Sequence, residues 1–257
     1  MPQTLNTDNT KLSSSNTSSQ QQSSLLPIEV YLGGSFDPVH NSHLALLTHV
    51  YQKLAADSHP VNAYFMPTSR SPLKTDSSAS EHRLNMLSVA IKELQAETLS
   101  SQSHTTALNL AISEHEIWQT PPTYTINTLA ELRQQHPNHS LVFIIGADNI
   151  ASLPKWRDGD KLTQFAHLWV FPRNELQSAA EITELLPDSL KPQVSSCLED
   201  LKQHTHGRIY IDPHMVAPLS SSAIREAIAQ GRPEIAKSAL PRSVYSYIMK
   251  NNLYHSN

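Results

Sequence analysis

The chain of 257 residues carries one cysteine, Cys197. A single thiol forms no internal disulfide and no cysteine-cluster metal site, which fits a reducing cytoplasm. No Lys/Arg block interrupts a formal net charge of −4, so nothing marks a nucleic-acid surface. A phosphate ligand would have to be met locally. No apolar run approaches the roughly 20 residues of a membrane helix, so no membrane partner is expected. Residues 1–26 are almost all Ser, Thr, Asn, Gln and a few charged residues. They lack the apolar stretch of a secretory signal and are expected to be a disordered polar tail. Residues 27–257 form a stretch long enough to bury a core as one domain. The 14 histidines are many, but His59, His104, His136, His139, His204 and His206 lie in polar stretches. No H-E-x-x-H or similar spacing appears, and these six are expected to be solvated surface.

Strand-like and helix-like segments alternate, which predicts an α/β fold around a doubly wound, Rossmann-like parallel sheet. Strands are expected at Ile28–Leu32, Val61–Met66, Ala107–Ile112, Leu141–Ile145, His167–Phe171 and Arg208–Ile211. Leu44, Leu47, Tyr51 and Leu54 keep the helical period, as do Leu84, Leu87, Ile91 and Leu94. Thr125–Gln135 reads as a helix with Leu129 and Leu132 inward, and a further helix closes at Leu162–Phe165. Glu97–Thr105 reads as a polar connector, and 178–206 as a polar, helical, peripheral insertion. Two helices finish the chain, around Ser222–Gln230 and Arg242–Asn251.

Three motifs fall at ends of these elements where ligands bind in such sheets. Gly33-Gly34-Ser35-Phe36-Asp37-Pro38-Val39-His40-Asn41-Ser42-His43 joins the first strand to a helix. Glycines there let a ligand approach the backbone. His40 and His43, three apart, share one face at a helix start, where unpaired N–H groups and the dipole favour a phosphate. Gly146-Ala147-Asp148 ends the fourth strand. Asp148 suits a ribose hydroxyl, or equally a helix cap. Ser220-Ser221-Ser222-Ala223-Ile224-Arg225 opens the penultimate helix and reads as a second phosphate device, or as a serine cap with a surface arginine. No nucleophile–base pair is present. The residues suit phosphoryl chemistry, which needs positioning and charge neutralisation more than a covalent partner.

The first motif resembles the nucleotidylyltransferase signature G-G-[ST]-F-D-P-x-H-x-G-H, departing only at Ser42, where the family has glycine. Leu219–Arg225 is similar to the second signature, I-S-S-T-x-I-R. Pro122–Leu129, Phe143–Asp148, Leu153–Trp156, Arg83 with Met86-Leu87, and the terminal Tyr247-Ile248 and Leu253-Tyr254 resemble the bacterial nicotinate mononucleotide adenylyltransferases. The resemblance spans about 28–254. It implies transfer of AMP from ATP, carried with Mg²⁺, to nicotinate mononucleotide, a step of NAD synthesis. By it, His40, His43 and Arg225 are catalytic. Gly33, Gly34, Ser35, Phe36, His40, His43, Gly146, Asp148, Arg173, Ser221, Ser222 and Arg225 bind ATP. Lys74, Tyr124, Thr125 and Trp156 hold the mononucleotide, Lys74 near the phosphates and Trp156 stacking on the pyridine unless it is a core anchor. No metal ligand is expected from the protein. A sister enzyme using phosphopantetheine or CTP, and a silent nucleotide-binding protein on the same fold, are the alternatives. Whether the chain forms a homo-oligomer is left open.

Overall fold

The computed structural model describes residues 25–69, 78–100, 108–173, 178–214 and 219–255. Seven strands form one sheet: β1 (Ile28–Gly34), β2 (Val61–Pro67), β3 (Leu110–Ile112), β4 (Ser140–Gly146), β5 (His167–Phe171), β6 (Val194–Ser195) and β7 (Ile209–Ile211). Their order is β3-β2-β1-β4-β5-β7-β6, and every pairing is parallel. The chain winds outward from β1 through β2 to β3, then crosses back to lay β4 against β1. This reversal is a topological switch point, the place where open α/β sheets bind ligands beyond the carboxyl ends of their strands.

Alternation along the strands divides the interior into two cores, one on each face. Val30, Leu32, Val142, Ile144, Trp169 and Phe171 enter one, while Tyr31, Leu141, Phe143, Ile145, Leu168 and Val170 enter the other. The first core is covered by α1 (Asn41–Leu54) and α2 (Ser80–Ser100), with three C-terminal helices: α7 (Ser221–Ala229), α8 (Pro233–Ala239) and α9 (Arg242–Lys250). The second is covered chiefly by α3 (Thr125–Gln135), the one-turn α4 (Ala147–Ile150) and α5 (Ala179–Leu185). Leu44, Leu47, Val50, Tyr51 and Leu54 of α1 are buried, as the helical period requires.

Several expectations need correction. The α2 helix continues to Ser100, so Glu97–Ser100 is its last turn, not a connector. Its buried face is Arg83, Met86, Leu87, Ala90 and Ile91. Leu84 and Leu94 are only partly buried, because the helix turns to bring Arg83 inward. The stretch 178–206 is not peripheral. Its short β6 pairs with β7, and Ile182, Leu186, Leu190 and Leu201 are buried in the cores. Their irregular spacing over short elements hides them from a periodicity argument; the small α6 (Glu199–Gln203) carries Leu201. The segment before β5 is a 3₁₀ helix, Gly159–Gln164. The chain ends in three helices rather than two, α8 starting on Pro233 as a first-turn proline. His59 is 7 % exposed, its Nε2 2.7 Å from the Leu26 carbonyl. His136 and His139 are half-buried. His104 and most of the polar tail lie outside the described residues.

His167 opens β5 with no exposure at all. Its Nδ1 accepts the Arg208 N–H at 3.1 Å and its Nε2 lies 2.9 Å from the His204 carbonyl. The neutral ring with hydrogen on Nε2 satisfies both. Burial pushes its pKa down to about 4, and does the same for His40. An unfolded histidine titrates near 6.5. Between those values the unfolded chain binds more protons than the folded one, so stability must rise with pH. We expect the urea midpoint to fall from pH 6.5 towards pH 4.5, before most carboxylates titrate. A midpoint constant over that window would show that these rings are not held neutral.

Candidate active site

At the carboxyl ends of β1, β4 and β5 lies a cavity of about 250 Å³. The Gly33 backbone forms part of its wall, and a Cβ there would come within 3.2 Å of the Phe143 ring, itself in the wall. A side chain at this position would enter the space that a ligand needs.

The loop from β1 to α1 reverses through Phe36, a non-glycine residue with φ of 46°. A bulky side chain in the left-handed region is strained, and such residues persist only when their surroundings fix them. Here the surroundings are explicit. Arg83, 1 % exposed, donates through Nη1 to the Ser35 carbonyl at 2.9 Å and the Thr68 carbonyl at 2.8 Å. Arg225 donates to the Asp37 carbonyl at 2.7 Å, and the Ser221 hydroxyl to the Pro38 carbonyl at 2.9 Å. The buried Asp37 carboxylate accepts the Ser78 N–H at 3.0 Å and the Tyr254 hydroxyl at 2.5 Å. Burial and then the Asp37 charge raise the Tyr254 pKa. Phe36 itself is 1 % exposed and packs edge-on against His43 and Phe65, with ring centroids at 5.0 and 5.5 Å.

His40 caps α1 and His43 stands in its first turn. Their rings stack with centroids 3.6 Å apart, and both line the cavity. The His43 Nδ1 accepts the His40 backbone N–H at 3.3 Å. That bond leaves the hydrogen of the neutral ring on Nε2. His40 is 3 % exposed, and its buried Nδ1 has no hydrogen-bond partner among the described residues. Desolvation and then Arg173 lower the His40 pKa to about 4. Desolvation, His40 and Arg173 lower that of His43 well below the ordinary value. The pair is therefore neutral at pH 7.

The structure gathers Gly33, Gly34, His40, His43, Gly146, Arg173, Thr125 and Trp156 around one cavity. Thr125 is the first residue of α3. Trp156 is half-buried, its Nε1 donating to the Ser152 hydroxyl at 3.1 Å, so it is at once a core contact and a cavity wall. Outside the wall stand Ser35, Phe36, Asp148, Tyr124, Ser221, Ser222 and Arg225. Asp148 does not cap α4; it pairs at 3.5 Å with Arg173, an exposed contact of small energy. Tyr124 lies under the Arg157 guanidinium at 4.8 Å. Ser220 is the cap of α7, accepting the Ala223 N–H at 3.1 Å. Lys74 lies outside the described residues.

Ser42, Thr68, Glu116 and Asn149 also line the cavity and were not foreseen in the sequence. Thr68 and Asn149 follow strand ends, where the switch-point rule would have found them. Glu116 carried no signal: it sits in irregular chain, 4 % exposed, accepting the Thr128 hydroxyl at 2.6 Å, and burial raises its pKa. Ser42 occupies a regular helical position, so serine replaces the signature glycine without backbone strain.

A parallel sheet with a phosphate-suited cavity at its switch point is that of a nucleotide-binding transferase, and the cytidylyltransferase-like family profile matches residues 31–227. The chain belongs to that family. It is 32% identical over 226 residues, 87% of its length and 95% of the relative's, to an Aeromonas hydrophila protein named "Probable nicotinate-nucleotide adenylyltransferase". A Coxiella burnetii protein of the same name is 30% identical, over 90% of this chain and 99% of its own. Within the family, the chain belongs to the nicotinate-nucleotide adenylyltransferases. In fold it resembles the Plasmodium falciparum nicotinic acid mononucleotide adenylyltransferase solved with NaAD, with a TM-score of 0.64 at 19% identity, covering 89% of this chain and 97% of that one.

The Tyr254–Asp37 bond carries a direct test. Tyr254→Phe leaves one oxygen of a buried carboxylate without its donor, which costs about 1–3 kcal/mol. We expect the urea midpoint to fall accordingly and turnover to drop with it, because the strained loop loses a clamp. Unchanged stability would show that the C-terminus does not hold the loop.

Proposed function

We propose that this chain transfers AMP from ATP to nicotinate mononucleotide, forming nicotinate adenine dinucleotide and pyrophosphate. The observation that carries the reading is the stacked, neutral His40–His43 pair at the start of α1, inside a cavity that also presents Trp156. A phosphate oxygen of the mononucleotide attacks the α-phosphorus of ATP, and the bond to the bridging oxygen of pyrophosphate breaks. Negative charge grows on the α-phosphate oxygens and on the departing oxygen. The His43 Nε2–H and the first N–H groups of α1 are suited to meet that charge, as preorganised donors in a partly dry site. Arg173, whose charge is felt at both imidazoles, adds a cation. Ser221, Ser222 and Arg225 support the triphosphate side by holding the β1–α1 loop, and Gly146 and Asp148 lie on the nucleotide's ribose side.

ATP arrives as its Mg²⁺ complex in this proposal. Among the described residues, the one group of three convergent His, Cys, Asp or Glu side chains is Glu29, His136 and His139, all absent from the cavity wall. The cavity itself offers imidazoles and a single buried carboxylate, Glu116. Such a donor set suits a cation brought by the phosphates, not a protein cage. The proposed location is the cytoplasm. None of the described helices is long and apolar enough to cross a membrane.

Removing one preorganised donor costs about 10²–10³ in kcat. We expect His43→Ala to show that loss in pyrophosphate release, with much smaller change in ATP binding. Wild-type kcat in His43→Ala would remove the assignment. A panel of acceptors tests the reaction itself: greater activity with phosphopantetheine than with either pyridine mononucleotide would overturn it.

The substrate's pyridine bears a carboxylate, which the first N–H groups of α3 at Thr125 can take while Trp156 stacks on the ring. The same wall carries Glu116, so the pocket is not made of donors only. Glu116→Gln deletes a like charge and should raise kcat/KM for the acid relative to the amide by roughly tenfold, about 1.4 kcal/mol. Trp156→Ala should raise KM for the mononucleotide and leave that for ATP nearly unchanged. Equal loss for both substrates in Trp156→Ala would place the indole elsewhere.

A further inference from the structure

Glu29, near the start of β1, is 2 % exposed although it is acidic. One oxygen, Oε1, accepts from Asn62 Nδ2 at 3.0 Å and lies 2.9 Å from His139 Nδ1. The other, Oε2, is buried with no hydrogen-bond partner among the described residues. Burial, then the Glu29 charge and a side-chain hydrogen bond with Glu29, push the Tyr64 phenol up to about 12. A second imidazole, His136, lies beside the first, with ring centroids 5.0 Å apart. Ligand atoms of Glu29, His136 and His139 all fall within 4.8 Å of one another.

We propose that Glu29, His136 and His139 form a Zn²⁺ site at the amino-terminal edge of the sheet. Gly33 of the catalytic cavity lies four residues further along β1, roughly 13 Å away at strand rise. Two imidazoles and one carboxylate are a common three-ligand set for Zn²⁺, with water completing the tetrahedron. Imidazole nitrogen favours zinc over Mg²⁺, which demands oxygen ligands. The buried Oε2, without a hydrogen-bond partner among the described residues, gives the metal a ligand atom.

The turn that bears the histidines is already built. Arg133 Nη1 donates to the His136 carbonyl at 2.8 Å and the His139 carbonyl at 2.9 Å, and Nε donates to the Phe165 carbonyl at 3.0 Å. Asn62 fixes the Glu29 carboxylate, and Asn109 donates to Asn62 in turn. Such outer partners orient metal ligands. A zinc tetrahedron with bonds of about 2.0 Å has edges of about 3.3 Å, so ligand atoms within 4.8 Å of one another must close by up to about 1.5 Å. That movement falls to the His136 ring, which no hydrogen bond restrains among the described residues. The site would clip β1 to the turn before β4, across the two central strands of the sheet.

The test uses the full chain, stripped with chelator and titrated with ZnCl₂ or CoCl₂. One equivalent of Co²⁺ should give the visible d–d bands of a low-coordinate N₂O site, and Zn²⁺ should abolish them while millimolar Mg²⁺ does not. Zn²⁺ should also raise the melting temperature. His136→Ala keeps the His139–Glu29 contact and should fold normally, yet lose affinity by about a hundredfold or more, beyond the 10–100-fold of an outer-sphere change. Glu29→Gln provides a second variant that keeps the carbonyl acceptor, and it should lose affinity too. Adenylyl transfer with Mg²⁺ should be unaffected by His136→Ala, which separates this site from the proposed reaction. Absence of the bands in the parent protein, or binding in His136→Ala as tight as in the parent, would overturn the proposal.

Discussion

A strained loop, clamped from every side, is the constraint on which this protein depends. Phe36 holds φ at 46°, a conformation that its own Cβ resists. The loop keeps it because its carbonyls and its one carboxylate are taken by groups from α2, α7 and the C-terminal turn. Each clamp is a buried or half-buried polar contact, of the kind that is modest when made and expensive when left unmade. The strain has a use. With Phe36 turned inward beneath His43, the two imidazoles are stacked and aimed before any nucleotide arrives.

Burial then sets their chemistry. Desolvation strips both imidazoles of charge, Arg173 reinforces the loss at each, and His40 adds to it at His43. A protein that must bind a highly anionic substrate could have offered fixed cations throughout the cavity. It offers neutral N–H donors, helix starts and one half-exposed arginine, and its net charge is negative. The electrostatics of the cavity are therefore local and directional, set by individual groups and not by an overall positive field.

The sheet was legible because period-2 and continuous apolar runs are forced on strands buried on both faces. His167–Phe171 and Thr125–Gln135 have the bounds their patterns suggest, and the first signature led to His40 and His43. What could not be read was any feature that depends on a partner distant in sequence. Glu116 looks like ordinary loop until Thr128 and the cavity close around it. His136 and His139 look solvated until Glu29 is brought against them from β1. Ile182, Leu186 and Leu201 belong to short elements with no period long enough to register. Phe36 looks like a nucleotide contact because it stands inside the signature, whereas the structure sets it in the core under the histidine.

The Tyr254 hydroxyl reaches Asp37 across 217 positions of sequence. A ribosome adding about 5–20 residues per second needs roughly 10–40 s to cover that span. The glycine loop and its histidines are thus among the first folded elements to emerge and among the last to be secured. A nascent chain would hold the whole parallel sheet, and even the arginine of α7, while its strained turn still lacked its final clasp. The loop would gain its last clamp only once Tyr254 had been added, and a chain lacking that residue would hold its sheet around a turn short of one buried hydrogen bond.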